Sequence, residues 1–250
     1  VLLGDCTTQY RLAAVDVVGL GSGVRAISAG YSNTCAITSG GALKCWGANR
    51  AGQLGDGTRI NRSAPVDVVG LGSGVLIAGS GEQHSCAVVT GGAVKCWGFS
   101  FFGRILGDES TSDRSVPGDV PSLRSGVVGL AVGSYATCVR LDTGAMACWG
   151  AVPIGDNTEI SRGLRTGVAG LGRDVSDIDV GFGGQLCAVM NGAAKCWGEN
   201  GFGQVGDGTT HGVPLPQVVV VDEEARRVAA LARQGNAASR NSSSDASGRF

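Results

Sequence analysis

Large and reactive side chains are scarce in this chain. Aromatic residues make up 5% of it, and it has only two histidines, His84 and His211. With no paired acids inside one motif and no serine elbow, nothing is assembled to run a reaction, so no catalytic residue, metal ligand or cofactor is expected. No run of eighteen apolar residues exists, which excludes a membrane-spanning helix. Charge of one sign is also missing: the formal net charge is −1 and the twenty basic residues are scattered, so nothing forms a basic stripe for nucleic acid. No charged, apolar, small-residue segment opens the chain as a secretory leader would. It begins without Met at "VLLGDCTTQYR", in the middle of a repeat, and is read as a piece of a longer chain.

What the chain has in excess is glycine, 44 residues in 250, alongside a 43% hydrophobic content sufficient for a core. The glycines mark turns in a repeat. Trp46, Trp97, Trp149 and Trp197 each end a "CWG" triplet and lie 51, 52 and 48 residues apart. "VDVVGLGSGV" at Val15 to Val24 recurs letter for letter at Val66 to Val75. A second marker, "LGDGT" at Leu54, returns as "LGDES" at Leu106, "IGDNT" at Ile154 and "VGDGT" at Val205, with "LGDCT" as a fifth copy near the start. Each repeat reads as four short strands, for example "GVRAISAG", "TCAIT", "ALKCWG" and "PVDVV". Four strands in about 50 residues is the signature of a propeller blade. The expectation is an all-β propeller over residues 1–222, incomplete or open, with a stack of strands as the alternative, and a polar, disordered tail over residues 223–250.

Eight of the nine cysteines come in four pairs inside those repeats. Setting Cys35 opposite Cys45 leaves a three-residue loop ending in Gly41, the left-handed position of a G1-bulge hairpin, and Cys86 with Cys96 and Cys138 with Cys148 do the same at Gly92 and Gly144. The fourth copy is one residue shorter, and pairing Cys187 with Cys196 leaves Asn191-Gly192, the preferred two-residue type I′ turn. The cross-strand pair is the constraint, and the turn adjusts around it. Directly opposed strand residues are within reach of a disulfide; buried thiols and a metal site are the competing readings, the latter against the usual knuckle spacing. Disulfides would imply an oxidising compartment: periplasm, cell surface or extracellular space. Cys6 has no hairpin partner and reads as a loop substitution, a free thiol or an intermolecular bridge.

The ordered markers "GEQHSCAV", "GGAVKCWG", "NGFGQVGDGTT" and "PVDVV" resemble the regulator-of-chromosome-condensation repeat in its cysteine-containing form from exported bacterial proteins. The resemblance covers residues 1 to about 221. It implies a propeller, usually of seven blades, that serves as a protein-binding platform; relatives include a GTPase exchange factor, a β-lactamase inhibitor and surface proteins. The histidine of the "GxxHS" segment is present only as His84, its counterparts being Asn33, Ala136 and Gln185.

Two further patterns carry structural expectations. Asp5, Asp56, Asp108 and Asp156 are each followed six residues later by arginine, which reads as one ion pair per loop with the aspartate also accepting from turn amides; calcium or catalysis is the rival. The tryptophans read as packing between blades. Loop length points to recognition: from tryptophan to the "GD" aspartate the repeats run 10, 11, 7 and 10 residues, while from that aspartate to the next cysteine they run 30, 30, 30 and 31. In the longest loop Phe102 aligns with Phe202 and is expected to be structural, whereas Phe99, Phe101 and Arg104 are the candidate protein-binding residues, Phe99 and Phe101 exposed or folded back on a neighbouring blade. The functional expectation is an exported binding module for a protein ligand, able to self-associate through open propeller ends. The alternatives are an exchange factor for a GTPase and a structural spacer in a surface protein.

Overall fold

The computed structural model describes residues 3–220; the expected tail at 223–250 lies outside them. The described residues form four four-stranded antiparallel sheets. The first contains β1 (Val24–Ala29), β2 (Asn33–Thr38), β3 (Leu43–Gly47) and β4 (Arg62–Asp67). The second contains β5 (Val75–Ser80), β6 (His84–Val89), β7 (Ala93–Gly98) and β8 (Arg114–Asp119). The third contains β9 (Val127–Val132), β10 (Ala136–Leu141), β11 (Met146–Gly150) and β12 (Arg162–Gly167). The fourth contains β13 (Val175–Val180), β14 (Gln185–Met190), β15 (Ala193–Gly198) and β16 (Val213–Val218). Spatial order follows chain order in every sheet, so each is one propeller blade. The first strands touch in series, β1 to β5, β5 to β9 and β9 to β13, and line the axis of an arc that is not closed.

The hairpin register pairs Cys35 with Cys45, Cys86 with Cys96, Cys138 with Cys148, and Cys187 with Cys196. Each pair stands at disulfide distance with Cα atoms 4.1 Å apart. Gly41, Gly92 and Gly144 adopt φ of 78°, 78° and 77°, and in the shortened copy Asn191 and Gly192 both turn left-handed at 53° and 77°. The deletion changes the turn and leaves the cystine where it was.

Burial lies between blades rather than within them. One cluster joins Cys35, Ile37, Leu43 and Leu54 of the first blade to Ala87 and Trp97 of the second. A second joins Cys86, Val88 and Leu106 to Val139 and Trp149, and a third joins Cys138, Met146 and Ile154 to Leu186 and Trp197. Each blade thus presents its cystine forward and its tryptophan backward. The glycine of each "GD" turn is what admits the ring: a Cβ on Gly55 would come within 2.7 Å of Trp97 Nε1, and one on Gly155 within 2.7 Å of Trp197 Nε1.

A tryptophan N–H and a side-chain pair reinforce the first two junctions, whereas at the third the Ser134 hydroxyl donates to the Phe182 carbonyl at 2.9 Å. Trp97 donates to the Gln53 carbonyl at 2.9 Å and Trp149 to the Ile105 carbonyl at 2.8 Å. Asn33 donates to Ser85 Oγ at 3.3 Å, and His84 Nε2 meets Thr137 Oγ1 at 2.9 Å. The partner in each case sits just before the first hairpin cysteine of the next blade. At the third junction both members change together: Ala136 offers no polar group, and Leu186 replaces the hydroxyl. His84 is buried, and burial pushes its pKa down to about 3, so the ring is neutral in the folded chain.

Candidate recognition face

Strand direction sets one face apart. In every blade the turn between the first two strands and the start of the long loop after the third emerge together, tied by one backbone bond. Ala48 donates to Ser32, Phe99 to Gln83, and Ala151 to Tyr135, each at 2.8 Å, and Glu199 to Gly184 at 3.2 Å. Two loops per blade therefore supply this face, held by a rigid sheet below.

The rest of each long loop is fixed by its own polar groups. Arg11 reaches Asp5 at 2.8 Å, Arg62 reaches Asp56 at 2.8 Å, Arg114 reaches Asp108 at 3.0 Å and Arg162 reaches Asp156 at 2.7 Å. Each aspartate also accepts from the amide two residues on, Thr7, Thr58, Ser110 or Thr158, as does Asp207 from Thr209. Burial raises the pKa of Asp56 and Asp156, but hydrogen bonds from Thr58 and Thr158 and from the paired arginines outweigh it and hold both carboxyls below the ordinary value. For Asp5 the hydrogen bond from Thr7 leads the same shift. Inside the first and fourth loops a buried asparagine is the spool. Asn49 donates to Asp56 and to the Thr58 and Ile60 carbonyls and accepts from Leu54 at 2.9 Å; Asn200 repeats this with Asp207, Thr209, His211 and Val205. In the second loop Ser100 takes that position, accepting from Gly103 at 3.0 Å. Sequence reading passed over these asparagines, although "N" seven residues before the aspartate appears in both ten-residue loops.

In the longest loop the first two rings take the folded-back alternative, and only Phe102 departs from its expectation. Phe99 and Phe101 are half-buried, stacked edge-on with ring centroids 5.8 Å apart, and Phe101 also packs against Tyr135 of the third blade at 5.8 Å. Phe102, expected to be structural, is 81% exposed. Its equivalent Phe202 is 99% exposed, so this loop position projects outward wherever an aromatic occupies it. The extra residue explains the inward turn of Phe101: Phe101 and Phe102 sit at φ of 47° and 57°, a left-handed excursion that swings the first ring back over the neighbouring blade. Arg104 is exposed on the same loop. The cysteine pairs lie in the sheets below and contribute nothing to this surface.

Next to the long second loop is the short third one, with only Ala151, Val152 and Pro153 before the "GD" marker. A cavity of about 530 Å³ opens over it, lined by Phe101, Tyr135, Phe182, Phe202, Glu199 and Gln204 among others. Phe182 belongs to the β13–β14 turn, which carries one extra residue and reaches across the opening of the arc to Tyr31 at 6.3 Å. The shortened loop also removes a hydrogen bond, leaving Trp197 Nε1 without an acceptor among the described residues. No group of three or more His, Cys, Asp or Glu suited to a metal occurs among them.

Comparison with known proteins agrees with this architecture. The description "Regulator of chromosome condensation (RCC1) repeat" matches residues 24–53 and 76–104, and a second profile of that description matches residues 41–88. The mouse E3 ubiquitin-protein ligase HERC2 is 30% identical over 204 residues, which is 77% of this chain and 4% of that protein. The Ultraviolet-B receptor UVR8 of Arabidopsis thaliana is 25% identical over 203 residues, 78% of this chain and 46% of the receptor. The chain thus spans less than half of either relative. Among solved structures, human WBSCR16 aligns with a TM-score of 0.70 at 23% identity, covering 79% of this chain and 53% of that one. Yeast RCC1 (Prp20) aligns with a TM-score of 0.68 at 21% identity, covering 80% and 49%. Repeat profile, relatives and fold agree: residues 24–104 carry regulator of chromosome condensation repeats, and the chain is similar to proteins built from them.

Proposed function

We propose that the chain is an exported protein-recognition module that binds its partner through the face built by the β1–β2-type turns and the starts of the long loops, and that it carries out no catalysis. The observation that carries this reading is the placement of aromatics. In a chain with 5% aromatic residues, Tyr31, Phe102, Tyr135, Phe182 and Phe202 are all on that face and all exposed. Exposed aromatics on a rigid scaffold are the composition of an interface hot spot. Among the structural relatives, yeast RCC1 (Prp20) has been solved with Kap60 bound, which supports a protein-binding role. The four cysteine pairs favour an oxidising compartment and weigh against exchange-factor work in a reducing one. Arg104 and the Phe99–Phe101 pair belong to the same contact surface, with Phe99 as the support and Arg104 at its rim.

The test is capture of secreted or cell-surface proteins on the oxidised chain, run in parallel with a Phe102→Ala/Phe202→Ala variant and an Asp142→Ala control in the β10–β11 hairpin at the other end of the sheet. A protein held by the unmodified chain and the control and released by the double variant supports the reading. Equal retention on all three moves the contact elsewhere and refutes it.

A further inference from the structure

From the lining of the 530 Å³ cavity we infer that it accepts a cationic side chain of a partner protein, arginine, lysine or methylated lysine. This rests on the recognition-module reading for the source of the cation, and on the cavity alone for its chemistry.

Four rings line the cavity, Phe101, Tyr135, Phe182 and Phe202, and among the described residues Glu199 is its only charged group, with no lysine, arginine or histidine. An aromatic ring presents a negative face, and a carboxylate adds a full charge of the same sign. An anionic ligand would meet repulsion from every side. A neutral apolar ligand would gain nothing from the exposed Glu199 carboxylate beside it. A cation with apolar flanks satisfies both kinds of wall, since a guanidinium or alkylated ammonium is attracted to ring faces within about 6 Å and to the carboxylate.

The Phe101 ring and the start of the fourth loop are held in place before any ligand arrives. Phe101 is fixed between Phe99 and Tyr135, with centroids 5.8 Å from each. Phe202 donates its backbone N–H to Gln204 Oε1 at 2.9 Å, which sets the start of the fourth loop. Glu199 folds over Gly184, where a Cβ would come within 2.9 Å of its Cγ. The space itself comes from two changes of length, the loop after β11 shortened to 7 residues between tryptophan and aspartate, and the one-residue extension that carries Phe182.

The experiment uses the intact oxidised chain, ¹⁵N-labelled, titrated with choline chloride, with its neutral isostere 3,3-dimethylbutan-1-ol, and with the N-acetyl amides of arginine and trimethyllysine. The cation reading expects choline and the two amino-acid amides to shift the Gly183, Gly184 and Gly201 resonances, with the neutral isostere at least tenfold weaker. Glu199→Gln and Phe202→Leu should each weaken choline about fivefold or more while the melting temperature stays unchanged. Equal affinity for choline and the isostere makes the cavity merely apolar and overturns the inference, as does silence toward every cation or indifference to Glu199→Gln. A chain that captures its partner through the loop face yet ignores these cations loses this inference and keeps the recognition-module reading. Cation binding without any loop-dependent capture does the reverse.

Discussion

The junction between the second and third blades is the place where the fold reads out pH. His84 is buried with its Nε2 2.9 Å from Thr137 Oγ1, and burial lowers its pKa from 6.5 to about 3. Below pH 6.5 the unfolded chain takes up a proton that the folded chain refuses, so stability is complete above the unfolded value and falls as pH drops toward the folded one. Linkage over that window amounts to about 2 kcal/mol lost between pH 7 and 4.5. The aspartates with lowered values act at lower pH, as acid falls through the ordinary carboxylate range near 3.8, and do not obscure this limb. Replacing His84→Ala removes the pH term but strands the Thr137 hydroxyl and leaves a cavity, at a cost of about 3 kcal/mol at pH 7. Adding Thr137→Leu recreates the Ala136–Leu186 pair of the next junction and should recover about 1 kcal/mol or more as a coupling energy. Urea unfolding followed by tryptophan fluorescence, with disulfides intact, measures all four corners of the cycle at pH 7 and 4.5. Additive single effects would refute the junction argument. An undiminished acid limb in the double variant would refute the assignment to His84.

The tryptophans should differ in one respect: Trp97→Phe and Trp149→Phe each forfeit a hydrogen bond to a carbonyl of the preceding blade, while Trp197→Phe forfeits none among the described residues, so calorimetry should find it milder by about 1 kcal/mol. Opening one hairpin staple by Cys86→Ala/Cys96→Ala should cost up to about 3 kcal/mol in the chain-entropy picture, and no measurable loss in urea titration would mean that this pair is not bridged. The chain is expected to bind a hydrophobic dye or self-associate through its last blade, because Cys187 there is half-buried whereas Cys35, Cys86 and Cys138 are at most 1% exposed; a dye-silent monomer in light scattering would contradict an open arc.

Blades and hairpins were legible because their signals are local. Turn chemistry at Gly41 and at Asn191-Gly192 depends on a few neighbouring residues, and the aspartate–arginine pairs lie within one loop. The junction code was harder to read because it spans a repeat: Asn33 answers to Ser85 and His84 to Thr137, 52 and 53 residues on. A comparison of the two positions blade by blade would have found it, since Ala136 with Leu186 varies in step with them. Side-chain direction in the second long loop was not legible. Alignment placed Phe102 over Phe202 correctly, but the inward turn of Phe101 beside it depends on the left-handed backbone there and on Tyr135 in another blade. Tyr135, Phe182, Phe202 and Glu199 were missed for the same reason, although the loop counts of 7 and 31 marked where the surface departs from its repeat.

Those two counts show how a repetitive fold acquires a particular site. Packing between blades is insensitive to what happens above the sheets: the cystines, the backward-facing tryptophans and the glycines beneath them keep their geometry whether the long loop has three residues before its marker or seven. A deletion there costs one hydrogen bond at Trp197 and leaves the ring buried, because apolar contact supplies most of its stabilisation. The same deletion removes a wall from the face above and leaves rings from three different blades around a common space. Stability resides in the junctions and specificity in the loops, so a change of length that the first tolerates can create the second.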